Sequence, residues 1–408
     1  MARGTERFEA QDSSTSSYVP AMVAGFSGWL LDAFDFFLMT FCLTAIAKDF
    51  HKSDVQIALV ITMTLAFRPV GGFVFGLLAD RYGRRIPLMV NLGLFAIAEV
   101  LTSLATGYVM LLIIRALFGM VMGGQWGVGS SLAMEHAPVN KRGILSGLFQ
   151  EGYAAGNVLA ALTFFFLYGR LGWRPLFLVG TVPALAVLLF VHFKVQESAI
   201  WKKAKAQTWN QQFREIVSHW RLFLYLLAFM TMMLFAAHGT QDMYPTFLQR
   251  QWHFTPMRRS AITAIAGVGA IIGGLVGGHF SDQLGRRRVI ISALVCGILL
   301  VPLWAFAPTQ PLLVAGAFCM QFMVQAAWGV IPAHLAELSP TSVRAFLPGF
   351  AYQTAGVLAS SVVYIEASYA QHTSYGTAMA LTAVSVFVLA CLFAFFGKER
   401  RGFDLDDQ

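Results

Sequence analysis

Charge is scarce in this chain. Asp, Glu, Lys and Arg make up 12% of its 408 residues, where soluble domains carry roughly 25%. The shortage excludes a large water-soluble all-α protein, whose helices need polar outer faces. Cysteine is equally thin: Cys42, Cys296, Cys319 and Cys391 all fall inside apolar runs and form no CxxC pair, so neither a disulfide nor a metal site is expected. No HExxH or GxSxG motif and no carboxylate dyad on facing spans is found, which argues against an intramembrane enzyme, and no filter-like loop suggests a channel. The first 19 residues, MARGTERFEAQDSSTSSYV, lack the basic and apolar segments of a signal peptide and read as a soluble tail.

Apolar length is what the chain has instead. Hydrophobic residues reach 57% and mean hydropathy is +0.63. Runs such as Leu88 to Ala98, Val179 to Phe193 and Ala378 to Phe396 lie within stretches of the roughly 20 apolar residues that a spanning helix needs. Twelve spans are expected, at 20–47, 55–79, 86–106, 109–135, 142–168, 174–193, 221–248, 259–281, 288–307, 311–337, 345–369 and 376–397. They divide the chain into an N-terminal tail (1–19), a six-helix bundle (20–193), a linker (194–220), a second six-helix bundle (221–397) and a C-terminal tail (398–408). The linker interleaves Lys202, Lys203, Lys205 and Arg214 with Trp201, Trp209 and Trp220, the pattern of an amphipathic segment at the membrane surface.

Basic residues set the orientation. Arg81, Arg84, Arg85, Lys141, Arg142, the linker lysines, Arg286 to Arg288 and Arg344 follow spans 2, 4, 6, 8 and 10, while the turns at 107–108, 308–310 and 370–375 carry none. By the positive-inside rule these loops, the linker and both tails are cytoplasmic, against a minority of Arg250, Arg258 and Arg259. The net charge of +8 is thereby explained without a nucleic-acid partner.

One unit of about 200 residues occurs twice. GGFVFGLLADRYGRRIPL (71–88) returns as GGLVGGHFSDQLGRRRVI (273–290), so Asp80, Gly83, Arg84 and Arg85 recur 202 positions later as Asp282, Gly285, Arg286 and Arg287. Glu135 to Gly147 becomes Glu337 to Gly349, pairing Glu135 with Glu337 and Arg142 with Arg344, and Trp126-Gly127 becomes Trp328-Gly329. Duplicated halves of apolar helices are the sequence form of a secondary transporter, in which two bundles rock about a site at their interface.

The loop GLLADRYGRR resembles the hallmark between helices 2 and 3 of the major facilitator superfamily, and GHFSDQLGRR falls where that family repeats it, between helices 8 and 9. The resemblance implies an all-α membrane protein of two pseudo-symmetric six-helix bundles. It also implies that Asp80, Arg84, Arg85, Asp282, Arg286 and Arg287, with Glu135, Arg142, Glu337 and Arg344, latch the cytoplasmic side in the outward-facing state. Arg115, in RALFGMVMGG, is a second family mark, with Gly119 and Gly123 as a close-packing stripe.

A substrate site between the halves need not be symmetric, so charges that the duplication did not copy are informative. At the 202 offset Arg68 meets Ala270, Arg115 meets Ala317, Asp35 meets Ala237, and conversely His238 meets Phe36 and Asp242 meets Thr40. Arg68 is a mid-span guanidinium beside a proline, suited to grip a carboxylate with two parallel hydrogen bonds; the competing reading is a structural ion pair with Asp32 or Asp35. His238 and Asp242 share a helical face at i, i+4 with Gln241 beside them, and such a pair can share a proton. Asp32 and Asp35, at i and i+3 on the first span, are the alternative proton carriers.

The stretch HGTQDMYPT (238–246) resembles the seventh-helix signature of Jen-type lactate and pyruvate proton symporters, keeping His238, Thr240, Gln241, Asp242 and Thr246 and departing at Leu234 and Ala237. AFRPVGGFVFGLLADRYGRR, MGGQWGVGSSLAMEH and LGWRPLFLVGTVPA resemble the broader sialate and monocarboxylate proton symporter group. The resemblance implies a proton-coupled carrier of a small monocarboxylate, and the reading of the residues sets Arg68, Arg115, Gln125, His238, Gln241 and Tyr352 at the substrate. The alternatives are a sialic acid or another organic-anion symporter. No cofactor or metal is expected, and the chain is expected to work as a monomer in a plasma or bacterial inner membrane.

Overall fold

The computed structural model describes residues 18–204 and 208–405, and among these the chain is helical throughout, with no strand. Residues 1–17 of the expected N-terminal tail, Lys205 in the linker and 406–408 of the C-terminal tail lie outside the described residues. Twelve helical segments are long and apolar enough to cross a membrane: Tyr18–Asp49, Val55–Tyr82, Arg85–Ser103, Tyr108–His136, Val139–Leu171, Trp173–Lys194, Trp220–Arg250, Pro256–Leu284, Arg286–Ala305, Gln310–Leu338, Phe346–Ala370 and Tyr375–Phe396. They are called spans 1 to 12 below. Large apolar side chains on their outer faces are bare, Phe165 at 77%, Leu299 at 74% and Phe396 at 78% exposure, which only a lipid solvent tolerates at this density.

Four spans are interrupted, a feature that hydropathy alone does not reveal. Span 7 is Trp220–Gln241 followed by Tyr244–Arg250, and span 10 is Gln310–Trp328 followed by Ile331–Leu338. Each second piece begins with a proline in its first turn, Pro245 and Pro332, which has no N–H to continue the preceding ladder. Spans 5 and 11, equivalent under the 202 offset, break at Glu151 and at Ser360–Ser361.

Spans 2 and 4 pack closely, as do spans 8 and 10, and glycine permits the approach: a Cβ at Gly71 would overlap the Met120 carbonyl. The halves meet through spans 2 and 11 and through spans 5 and 8, at the end that carries the arginine loops, here termed the basic face. There span 4 crosses span 11 so tightly that a Cβ on Gly127 would lie 2.8 Å from the Gly349 Cα. The linker folds into Ala199–Lys203 and Trp209–Ser218 and lies on this same face. Gln212 donates to the Leu77 carbonyl (2.9 Å), Trp201 Nε1 donates to the Asp80 carbonyl (2.9 Å), and Arg81 stacks over Trp209 (4.3 Å).

Candidate functional site

Two matching charge clusters join the halves on the basic face. In the first, Arg84 reaches Asp80 (3.1 Å) and Glu135 (2.9 Å), and Arg344 from the second half reaches the same Glu135 oxygen (3.3 Å). In the second, Arg286 reaches Asp282 (2.8 Å) and Glu337 (2.9 Å), and Arg142 from the first half reaches Glu337 (3.3 Å). The aspartates do more than pair with arginine. Asp80 accepts from the Ala345 and Phe346 amides, both at 2.9 Å, while Asp282 accepts from the Gly143 and Ile144 amides at 2.8 and 3.1 Å. Each carboxylate therefore sits at the first turn of a helix of the opposite half, where free N–H groups and the helix dipole favour an anion.

Burial opposes the charge of Arg84, but Glu135 and Asp80 outweigh it and raise its pKa. At Arg344 burial outweighs the help of Glu135 and the pKa is lowered. The C-terminal tail lies over both clusters, with Arg142 donating to the Phe403 carbonyl (3.1 Å) and Arg344 to that of Leu405 (3.4 Å).

Arg85 and Arg287 stand apart from these clusters. Arg85 donates to the Val191 (3.4 Å) and His192 carbonyls at the end of span 6, and Arg287 to the Ala394 (2.6 Å) and Phe395 carbonyls at the end of span 12. Two glutamates that the sequence reading passed over complete the arrangement. Glu197 accepts from the Arg84 and Arg85 amides (2.8 and 3.0 Å), and Glu399 from the Arg286 and Arg287 amides (3.1 and 2.9 Å). The preceding glycines, Gly83 and Gly285, hold φ of 95° and 105°, a turn that L side chains resist. Glu197 and Glu399 are themselves 202 positions apart, so the duplication already contained the signal.

Deeper between the halves lies an asymmetric site. Arg68 Nε donates to Gln353 Oε1 of span 11 (2.8 Å), Gln353 Nε2 donates to the Gly123 carbonyl (3.0 Å), and Arg68 lies in hydrogen-bonding reach of Tyr352. Among the described residues Arg68 forms no ion pair; Asp32, buried at 1% exposure, lies within its electrostatic reach. Aromatic rings wall the site: Tyr352 stacks on Trp126 (4.5 Å) and meets Trp29 (6.1 Å) and Trp328 (6.2 Å) edge-on, and Tyr153 packs on Trp29 (5.2 Å). Both polar atoms of the Gln125 amide are buried beside Gly28 and have no hydrogen-bond partner among the described residues. A buried amide left unsatisfied is costly and marks a place for a ligand or water.

The remaining candidates separate into two groups. Arg115 is wholly buried inside the first half, where Nη1 donates to Asp35 Oδ1 (2.9 Å) and Nη2 to Asp35 Oδ2, and its guanidinium lies over Phe118 (4.1 Å). It does not share the open space around Arg68. His238 Nδ1 and Asp242 Oδ2 are 3.0 Å apart at the break in span 7, with side chains 43% and 39% exposed. They sit in the part of the span nearer the face opposite the basic one, and Asp242 lies within electrostatic reach of Tyr153 across the interface. Gln241 turns aside to Gln321 (2.8 Å), which itself donates to the Thr240 carbonyl (3.1 Å).

Gln353, Tyr153 and Trp29 were not singled out from the sequence, nor were three intramembrane acids, Glu99, Glu151 and Glu366. Among the described residues no group of three or more His, Cys, Asp or Glu side chains is placed to hold a metal ion.

Known proteins agree with this architecture. The profile of the Major Facilitator Superfamily matches residues 25–241 and 242–404. A carboxylic acid transporter protein homolog of Saccharomyces cerevisiae is 28% identical over 93% of this chain and 68% of its own length. The sialic acid transporter NanX of Escherichia coli is 28% identical over 94% of this chain and 95% of its own. Among solved structures, the proton:xylose symporter XylE superposes with a TM-score of 0.78 at 19% identity, covering 96% of this chain and 98% of that one. The chain belongs to the major facilitator superfamily; it is a multi-pass membrane transporter and not an enzyme.

Proposed function

We propose that this major facilitator superfamily transporter moves a small monocarboxylate, lactate or pyruvate, together with a proton, by exposing the Arg68 site alternately to the two sides of the membrane. The carrying observation is the state of Arg68. Its Nε is oriented by Gln353, yet no carboxylate of the described residues forms an ion pair with it, so its outer nitrogens remain for a ligand. A guanidinium held in this way offers a planar fork to a carboxylate, with the Tyr352 hydroxyl and the Gln125 amide at hand. The likeness to the yeast carboxylic acid transporter homolog supports the substrate class.

The aromatic walls favour a small anion whose carbon body is apolar. A sialic acid, which the NanX likeness would suggest, carries many hydroxyls, and each would need a partner among Gln125, Tyr153 and Gln353.

Coupling follows from charge. Asp32 lies within the electrostatic reach of Arg68, and a carboxylate that occupies the guanidinium leaves this buried acid without a cation. A proton taken up by a neighbouring acid restores balance, so the two ligands favour each other's binding. His238/Asp242 carries that proton in the first reading, because its side chains are exposed at the break in span 7, away from the basic face. Asp35, chelated by Arg115 beside Asp32, carries it in the second. On the positive-inside reading the clustered face is cytoplasmic, and a carrier whose two halves are joined there is closed toward the cytoplasm.

Substitution at Arg68 tests the substrate site. Arg68→Lys keeps the charge and loses the fork, and L-lactate binding to the purified protein should weaken by about 1.5 to 3 kcal/mol, the range for a hydrogen bond to a charged group. Unchanged affinity by calorimetry would make Arg68 structural.

A further inference from the structure

Glu99 lies about one turn from the C-terminal end of span 3 and is wholly buried. Neither of its oxygens accepts a hydrogen bond from any donor among the described residues, yet its carboxyl lies in hydrogen-bonding reach of the Asp35 carboxyl on span 1. Two ionised carboxylates only accept, so a bond between them requires a proton on one.

Among the described residues the surroundings offer no other source of compensation. Span 4 contributes Arg115, whose two terminal nitrogens are both taken by Asp35 and whose Nε faces Thr64 of span 2 (3.4 Å). Span 6 presents Gly180, against which a Cβ would lie 3.3 Å from Glu99, and its charged residues Arg174, His192 and Lys194 are at its ends. Asp32, one turn before Asp35, adds a further acid rather than a cation. Around Asp35 the first half therefore gathers three buried carboxyls, Asp32, Asp35 and Glu99, against the buried guanidinium of Arg115 and the half-buried one of Arg68.

We propose that Glu99 is a proton-binding residue of this carrier, forming with Asp35 a carboxyl pair on Arg115 that holds one proton in the loaded state and releases it on the other side. Both terminal nitrogens of Arg115 grip Asp35, so Asp35 already has its cation and Glu99 does not. With Glu99 beside it the cluster has one carboxylate too many for its cation, and binding a proton makes it neutral. The exchange balances: a carboxylate oxygen takes a proton from hydronium that reaches the pair on one side, leaving water and an O–H, and after reorientation that O–H breaks and its proton passes to water as hydronium. Under the duplication Glu99 maps to Val301, so the second half has no copy of it, as expected of a coupling device that the two gates do not share.

The inference depends on the proton-symport reading only for its transport arm, and the test has two readouts for that reason. The first is infrared difference spectroscopy of the full-length protein in lipid as pH is raised. The parent should lose a protonated-carboxyl C=O band. Glu99→Gln, which keeps size and polarity, should lack that component, while Glu99→Asp should keep it at a displaced midpoint. A Glu99→Gln spectrum that superimposes on the parent overturns the proposal. If that variant does not fold, an unmoved midpoint in Glu99→Asp overturns it equally.

The second readout is L-lactate in proteoliposomes, where Glu99→Gln should retain counterflow and lose at least tenfold of pH-driven accumulation. Full accumulation by that variant also overturns the proposal. A parent that moves no L-lactate at all would refute the substrate reading, while the infrared arm still decides the role of Glu99.

Discussion

Replacing Asp80 by Asn should shift the carrier away from the conformation described here, by an amount that the geometry sets. Asp80 accepts two amide hydrogen bonds across the interface, from Ala345 and Phe346 at 2.9 Å each, whereas its pairing with Arg84 is internal to the first half and survives opening. Asn retains one acceptor oxygen and loses the other bond together with its charge. One hydrogen bond to a charged group contributes about 1.5 to 3 kcal/mol, so the ratio of closed to open basic face should fall roughly 10- to 150-fold. Asp282→Asn removes the equivalent bond to Gly143 or Ile144, and the double variant should add the two effects. Val55 and Met257 report the change: both are over 80% exposed, at the ends of spans 2 and 8 remote from Asp80 and Asp282. Nitroxide labels at these two positions, in a background without the four native cysteines, should show a shorter-distance population by double electron–electron resonance in Asp80→Asn, larger still in the double variant. Distance distributions that superimpose on the parent, in variants that melt normally, would refute the latch.

Asp242→Asn mimics a permanently protonated acid, so if His238/Asp242 couples transport, substrate exchange should survive and uphill accumulation should vanish; the same pattern in Asp35→Asn alone would move coupling to the first helix. Gly71→Ala should destabilise the protein by about 1 to 3 kcal/mol, measured as a lowered melting temperature, because the new methyl meets the Met120 carbonyl in a crossing of two helices that cannot yield.

Much of the fold was legible because two signals were independent of tertiary contact. Apolar length identified all twelve spans, and the constant offset showed their grouping. The clusters were legible for the same reason, since Asp80, Glu135 and Arg142 recur with their partners. Three kinds of feature were not. Breaks in spans 5, 7, 10 and 11 fall inside apolar stretches, so hydropathy does not report them, although Pro245 and Pro332 mark two of them. Glu197 and Glu399 matter through backbone amides, so pairing charges by type misses them, although the offset links them. Arg115 looked available to substrate because its partner, Asp35, stands 80 residues away on a helix whose facing the sequence does not fix. Glu99 and Glu366 map to Val301 and Phe164, and the search for uncopied charges would have found both had it covered every span.

Uphill uptake tests the central claim most directly. Purified protein in proteoliposomes, given radiolabelled L-lactate and an imposed pH gradient, acid outside, should accumulate label above the external concentration, and a protonophore should abolish the excess. Label that only equilibrates, or that stays outside while a labelled sialic acid accumulates under the same gradient, would contradict proton-coupled monocarboxylate transport.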